Sequence, residues 1–326
     1  MSETLRVGVS GVRGVVGQSM TPQLAAAFAQ AFGAFVGRGQ VVVGRDTRPT
    51  GPMLEAAVVA GLQSVGCQPL LAGIVPTPTV LMLTQELGVR GGMAITASHN
   101  PNEWNALKFV DQRGLFLDEQ DAEALLDVYH QQDFPLVEES ALVAAESVED
   151  PFACHERRVL HYVDVAAVRS RGFRVAVDMC NGVGALFSAS FLREGLGCEV
   201  IAVHGDPSGV FEREPEPLPE HLDALREAVT AHGCALGFAQ DPDGDRLALV
   251  DETGHPLGED MTLALAARQV LRRHQPGAVA MTQTTSLRVE RAVEGLATSV
   301  VRTKVGEINV VTEMKRHRCV VGGESN

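Results

Sequence analysis

Cations are scarce in this chain: 27 Lys and Arg stand against 41 Asp and Glu, a formal charge of −14 over 326 residues. That balance repels a polyanion. With aromatics at 5% there is no basic stripe interleaved with aromatic residues, so nucleic acid is excluded as a partner. Long apolar runs are lacking too. Although 45% of the residues are hydrophobic, no stretch is long enough to span a bilayer, and the expectation is a soluble protein without a membrane partner. The opening Met1-Ser2-Glu3-Thr4 has neither the basic start nor the apolar stretch of a secretion signal, which points to the cytoplasm. Cys67, Cys154, Cys180, Cys198, Cys234 and Cys319 show no Cys-x-x-Cys spacing and lie mostly in apolar segments, the pattern of buried reduced thiols. No Gly-Lys-Ser/Thr occurs, and Asn181-Gly182-Val183-Gly184 has no third glycine at dinucleotide spacing, so the case for a nucleotide site is weak.

What the chain has is alternation: short β-branched runs separated by longer helical patterns, the signature of α/β layers. Its length exceeds one small core, so two or three domains are expected. Strands are read at about Arg6 to Ser10, Gln40 to Gly44, Gln68 to Ala72 and Met93 to Thr96, then a polar-edged pair at Leu107 to Val110 and Leu115 to Leu117. Thr21-Pro22 caps the first helix, in which Leu24, Phe28, Phe32 and Phe35 recur at helical spacing. The acidic stretch Gln131 to Asp150 is the linker candidate. A helix near His155 to Val168 opens a second unit, with strands at Phe173 to Val177, Glu199 to Val203 and Ala235 to Ala239. The Pro-rich run Glu214 to Pro219 leads into another helix. A third unit starts near Glu259, with strands at Ala278 to Thr282, Ser299 to Arg302 and Cys319 to Gly322. Three strands end in polar loops that feed helices, at Gly44-Arg45-Asp46, Asp178 to Gly182 and Gln283 to Ser286, a hint of similar α/β domains over 1–150, 151–256 and 257–326.

Two loops carry the chemistry. Ala94 to Pro101 ends an apolar strand in small residues that display Ser98 beside His99 and Asn100. A serine hydroxyl is a poor nucleophile without a base or a prior modification. Alone, such a loop is better explained by a serine capping a turn. The second loop, Asp241-Pro242-Asp243-Gly244-Asp245-Arg246, sets three carboxylates at alternate positions between the apolar runs Ala235 to Ala239 and Leu247 to Val250. With Glu252 the spacing mimics an EF-hand, but Arg246 sits where that loop needs glycine, and the flanks read as strand. A compact cluster of hard oxygens suits Mg2+, which takes few carboxylates plus phosphate oxygens. A solvated acidic turn is the bland alternative, and the mutual repulsion of three aspartates held together by Pro242 and Gly244 stands against it. A hydroxyl able to carry a phosphoryl group and an oxygen-rich cation site together suggest metal-assisted phosphoryl transfer.

At these loops the chain resembles the α-D-phosphohexomutase family of phosphoglucomutases, phosphomannomutases and phosphoglucosamine mutases. Gly8-Val9-Ser10-Gly11-Val12-Arg13-Gly14 is similar to the family's Gly-Thr-Ser-Gly-x-Arg-Gly opening, with Val9 in place of threonine. Gly44-Arg45-Asp46-Thr47-Arg48 matches a second segment. Asn105-Ala106-Leu107-Lys108 resembles Asn-Gly-x-Lys with Ala106 for glycine, and Gly322-Gly323-Glu324-Ser325-Asn326 resembles the sugar-binding loop. The resemblance implies consecutive three-layer α/β/α domains with mixed sheets, the third incomplete. It also implies a phosphosugar partner whose phosphate moves between C1 and C6 through phospho-Ser98 and a sugar 1,6-bisphosphate. On this resemblance Mg2+ sits on Asp241, Asp243, Asp245 and a phosphoserine oxygen. Lys108 is the general acid/base, a role that requires a lowered pKa. Arg13 and Arg246 hold the phosphoserine, His99 and Asn100 either hydrogen-bond a phosphate or sugar hydroxyl or shape the loop, and Glu324 and Asn326 bind sugar hydroxyls. Arg45 and Arg48 either handle the substrate anion or pair with Asp46.

The wording Asn102 to Lys108 looks most like phosphoglucosamine mutases. Family members continue into a further domain whose Ser/Thr-Gly-Thr loop cradles the second phosphate, and no such loop follows Asn326. The expectation is therefore weak or absent turnover from these residues alone, with a non-catalytic phosphosugar-binding module as the alternative. The oligomeric state stays open, a homodimer included.

Overall fold

The computed structural model describes residues 4–8, 11–274 and 276–325. The readings that fall on Val9, Ser10 and Asn326 lie outside them.

The first domain follows from a run that alternation cannot explain. In Val41-Val42-Val43 every side chain is fully buried, which requires a strand covered on both faces. The pleat sends Val41 and Val43 into one cluster with Phe28, Phe32, Leu54 and Leu62, and Val42 into another with Leu70, Val80 and Leu83. These layers are built from β1 (Arg6–Gly8), β2 (Gly11–Val15), α1 (Pro22–Val36), β3 (Gln40–Arg45), α2 (Gly51–Ser64), β4 (Gln68–Ile74) and α3 (Thr77–Leu87). They are completed by β5 (Gly91–Ile95), β6 (Trp104–Asp111), α4 (Glu119–Gln131) and β7 (Glu146–Ser147). The sheet order is β1-β2-β6-β5-β3-β4-β7. The strands from β5 to β7 along this order run parallel, and those from β1 to β5 pair antiparallel. Thr21 caps α1 by accepting from Leu24 N at 3.2 Å, as its sequence requires.

The second domain comprises α5 (Ala153–Tyr162), α6 (Val165–Arg171), β8 (Arg174–Asp178), α7 (Gly184–Ser190), β9 (Glu199–Val203), α8 (Asp223–Ala231), β10 (Leu236–Gln240) and β11 (Leu247–Asp251). Its sheet, β11-β10-β8-β9, is parallel except for the β10/β11 hairpin. The third contains α9 (Met261–Arg273), β12 (Gly277–Thr282), α10 (Leu287–Val293), β13 (Ala297–Thr303), α11 (Glu307–His317) and β14 (Val321–Gly323), with described strands in parallel order β13-β12-β14. The chain is thus an α/β protein of three α/β/α units, the third short.

Two local expectations are corrected, and the linker candidate has a defined path. The acidic stretch after α4 is laid along the first domain: Val137 N donates to Ser64 O at 2.9 Å, and Glu146–Ser147 pairs with the edge of β4, which would otherwise expose unpaired backbone groups. Leu115 to Leu117 forms no strand, only a bridge from Phe116 to Val110, because the turn at Asp111 takes up the neighbouring amides. The helix read across His155 to Val168 is two helices, broken where the Asp164 side chain accepts from Ala167 N at 3.0 Å and starts α6.

One junction between the first two domains is built on backbone carbonyls. Thr47 Oγ1 donates to Asn181 O at 3.0 Å, and the Asn102 side chain donates to Gly209 O. Gly209 has φ +69°, and a Cβ there would lie 2.0 Å from Thr47 O. Only glycine allows the loops to approach this closely. Gly209→Ala is therefore expected to destabilise the protein by more than about 1 kcal/mol, read as a lower denaturation midpoint in urea; an unchanged midpoint would show that the junction bears no stability.

Candidate active site

The serine loop is shaped from below by a buried ion pair. Arg48 and Asp46 are both sequestered from solvent, with Arg48 Nε 3.0 Å from Asp46 Oδ2. The rest of the Arg48 fork donates to backbone carbonyls of the loop, to Ser98 O at 2.7 Å, Asn100 O at 2.6 Å, Pro101 O at 2.7 Å and Trp104 O at 3.1 Å. Asp46 also accepts from Thr96 Oγ1 at 2.7 Å, and Thr96 Oγ1 accepts from Ser98 N at 2.9 Å. Ser98 is thereby held at φ +50°, a left-handed conformation that a non-glycine residue keeps only when its surroundings over-determine it. Of the sequence alternatives for Arg48, pairing with Asp46 is the one observed.

The acidic loop is the turn of the β10/β11 hairpin, with Gly244 at φ +69°. Asp241 Oδ1 accepts from Asp245 N at 3.2 Å and Arg246 N at 3.1 Å, which points Oδ2 at the first domain. There Ser98 Oγ donates to Asp241 Oδ2 at 2.7 Å, 3.5 Å from Asp245 Oδ1 and 3.3 Å from His99 Nδ1. Lys108 Nζ, from β6, reaches Asp243 Oδ2 at 2.9 Å and Asp245 Oδ2 at 3.0 Å. Thr77 Oγ1 donates to Asp243 Oδ2 at 2.6 Å. Two loops 143 residues apart in sequence thus share one hydrogen bond.

This donor set fits a divalent cation. One oxygen from each of Asp241, Asp243 and Asp245 lies within 4.8 Å of the others. Asp241 and Asp243 are fully buried, and Asp243 Oδ1 has no hydrogen-bond partner. Two unit charges at such a separation repel by about 3–4 kcal/mol at an effective dielectric near 20. Burial, with Asp245 and Asp243 adding to it, pushes the Asp241 carboxyl well above the carboxylate range. Burial acts on Asp243 the same way, but Lys108 and the hydroxyl and ammonium donors override it and hold that group low.

The lowered pKa required of Lys108 is not found. Burial does favour its neutral form, but Asp243 and Asp245 outweigh burial and keep the ammonium above its ordinary range. Its Nζ also lies 5.8 Å from the centre of the Phe116 ring. His99 is driven down to about 4, first by burial and then by Arg246, so its imidazole is neutral near pH 7.

A cavity of about 160 Å3 opens beside Ser98, lined by Arg13, His99, Lys108, Phe116, Asp245, Arg246 and Glu307. Arg13 donates to Asn100 Oδ1 at 2.6 Å, and Arg246 pairs with Glu216 at 2.9 Å. Arg45 is not among the lining residues; it pairs with Glu55 of α2 at 3.2 Å. Glu324 lies just past β14 and accepts from Gly306 N at 3.1 Å. The Ala106 methyl, a departure from the family pattern, is buried in β6 opposite Arg13. Sequence reasoning missed Thr77, Phe116, Glu216 and Glu307. Glu307 alone left a trace, because Thr303 to Glu307 is another polar loop between a strand and a helix.

Asp241 sets a pH dependence. Its native pKa is raised above the ordinary value of about 3.9, so above that pH the native state keeps a proton that the unfolded chain has lost, and stability falls as pH rises toward the native value. Added Mg2+ should raise the melting temperature more at about pH 8 than at about pH 5, as the proton competing for the site leaves. Asp241→Asn should stabilise the ion-free protein at the higher pH and remove the Mg2+ response. Melting curves with Mg2+ or chelator check both, and a Mg2+ shift that survives the substitution would place the ion elsewhere.

Comparison with known proteins follows the same domain order. The family models for phosphoglucomutase/phosphomannomutase α/β/α domains I, II and III match residues 4–136, 155–254 and 258–326. A "Probable phosphoglucosamine mutase" of Methanopyrus kandleri is 40% identical over 321 residues, 98% of this chain and 70% of that protein. A "Phosphoglucomutase/phosphomannomutase" of Thermococcus kodakarensis is 37% identical over 98% of this chain and 71% of its own length. A solved structure from Thermus thermophilus superposes with a TM-score of 0.88 at 27% identity, covering 99% of this chain and 74% of that one. A phosphoglucomutase/phosphomannomutase family protein from Burkholderia thailandensis gives 0.80 at 26% identity, covering 98% and 71%. With three domain models matched in order along nearly its whole length, the chain belongs to the α-D-phosphohexomutase family of isomerases.

Proposed function

We propose that this chain moves a phosphoryl group between C1 and C6 of a hexosamine phosphate, with Ser98 as its carrier and a sugar 1,6-bisphosphate as intermediate. The observation that carries the reading is the 2.7 Å contact of Ser98 Oγ with Asp241, which sets the hydroxyl against the buried carboxylate cluster. Bound by Asp241, Asp243, Asp245 and a phosphoserine oxygen, Mg2+ would supply charge neutralisation on the transferring group. In transfer, the bond from phosphorus to Ser98 Oγ breaks as a bond from phosphorus to a sugar hydroxyl oxygen forms. The hydroxyl proton departs, and the serine oxygen ends as a hydroxyl.

Lys108 is placed to move those protons. It is charged as found and so begins as a donor, and once its carboxylate partners are engaged elsewhere it loses the contacts that hold its proton. Arg13 and Arg246 supply fixed positive charge to the phosphoryl oxygens, and neutral His99 offers a hydrogen bond without competing for protons. The rigid left-handed turn keeps Ser98 aimed while its phosphoryl load comes and goes. The hexosamine preference is supported by the naming of the 40% identical relative. Six free cysteines, of which only Cys319 is not buried, favour a reducing cytoplasmic setting.

Incubation with glucose 1,6-bisphosphate should add one phosphate to the intact mass of the chain and none to Ser98→Ala. Lys108→Ala should keep the site of modification and slow its formation by about 10²–10⁴-fold. Equal phosphate uptake by Ser98→Ala would end this reading.

A further inference from the structure

One carboxylate oxygen of the acidic turn stands apart from the rest. Asp241 Oδ1 accepts from the amides of Asp245 and Arg246, and Asp241 Oδ2 accepts from Ser98 Oγ. Asp245 Oδ1 lies 3.5 Å from the same hydroxyl, and Asp245 Oδ2 accepts from Lys108. Asp243 Oδ2 accepts twice, from Thr77 Oγ1 at 2.6 Å and from Lys108 Nζ at 2.9 Å. Among the described residues, nothing donates to Asp243 Oδ1, which is buried.

The two oxygens of a carboxylate are equivalent, so the donors on one decide which is left over. Lys108 is one such donor, but it is shared with Asp245 and carries a charge that a nearby divalent cation would repel. The Thr77 hydroxyl is neutral and stays compatible with a cation. Thr77 opens α3, where a threonine ordinarily accepts from an amide of its own first turn. This hydroxyl instead donates out of the helix, to a residue 166 positions away in sequence. The Thr77 amide donates to Asp243 O at 2.9 Å, so one buried residue of the first domain holds Asp243 by both backbone and side chain. Pro76 and Pro78 flank it and fix φ on either side.

We propose that Thr77 is a positioning residue for the divalent-cation site: by keeping a neutral donor on Asp243 Oδ2 when Lys108 is drawn away, it reserves Oδ1 as a ligand atom. The assignment rests on the cation reading of the cluster given above and deepens it. Thr77 acts through Asp243 and has no part in bond breaking. Because the two residues belong to different domains, cation affinity depends on how those domains are docked.

Mn2+, a hard cation that takes the same oxygen ligands as Mg2+, is titrated into the chain and the free ion is measured by electron paramagnetic resonance. Melting in chelator first confirms that each variant is folded. Thr77→Val, which keeps the branched shape and removes the hydroxyl, should raise the Mn2+ dissociation constant by about 10-fold or more, the usual scale for losing the hydrogen-bond partner of a metal ligand. Thr77→Ala should weaken binding in the same way, so the outcome does not hang on the folding of one variant. Thr77→Ser should restore most of the affinity; were the residue needed only for packing, serine, which lacks the methyl group, would do no better than valine. Binding to Thr77→Val as tight as to the native chain overturns the assignment, as does Thr77→Ser binding no better than Thr77→Val. Asp243→Asn isolates the reading beneath it: a native chain that binds no Mn2+, or Asp243→Asn binding as tightly as the native chain, overturns the cation site itself and this role with it.

Discussion

Three carboxylates crowded into one turn, two of them buried, constrain most of this molecule. Asp241, Asp243 and Asp245 cannot all be ionised at such distances without compensating positive charge, and the chain provides it sparingly. Lys108 serves two of them, Thr77 and Ser98 donate to the inner pair, and Asp243 Oδ1 is left over. Each of these partners comes from the first domain, so the turn is completed only when two domains meet. The junction at Thr47, Asn181 and Gly209 holds the same two units together from the other side. Interdomain packing and the electrostatics of the cluster are therefore one problem for this sequence, and the Asp-Gly-Asp turn is stable only where domain I presents a lysine, a threonine and a serine to it.

The fold was legible wherever a local run of apolar residues dictates its own burial. Val41-Val42-Val43 and the helical recurrence of Phe28 and Phe32 name their own environments, and the loops that end strands were found at the right places. Legibility failed where structure is decided by contacts distant in sequence. The stretch Gln131 to Asp150 has the composition of a linker, yet β4 has an open edge and the chain fills it. Asp164 splits a helix that periodicity alone runs together.

The candidate site was legible in its residue types and less so in its electrostatics. The aspartates stand out because alternate carboxylates in one turn repel one another without a cation, and Ser98 stands out only beside the family motifs around it. Arg48 left two readings open, and its burial decides for the structural one: a planar fork of donors matched to loop carbonyls holds Ser98 in a conformation it would not choose. The state of Lys108 was beyond sequence reasoning, because it depends on which side of the ammonium the carboxylates fall. The acid/base role asked for a depressed pKa, whereas the carboxylates at 2.9 and 3.0 Å raise it.

The three domains divide the labour in the same geometric way. Ser98 follows β5, the aspartates follow β10, and Glu307 and Glu324 follow β13 and β14, each beyond the carboxyl end of a strand with a parallel neighbour. Ligands bind at these ends in open α/β sheets because the loops there are free to vary over a fixed framework. Ser98 and the aspartate turn are tied to each other by a short hydrogen bond across two domains. Among the described residues, none of the third domain hydrogen-bonds to Ser98 or to the three aspartates. Side chains of the third domain can therefore change while Ser98 and Asp241 keep their register.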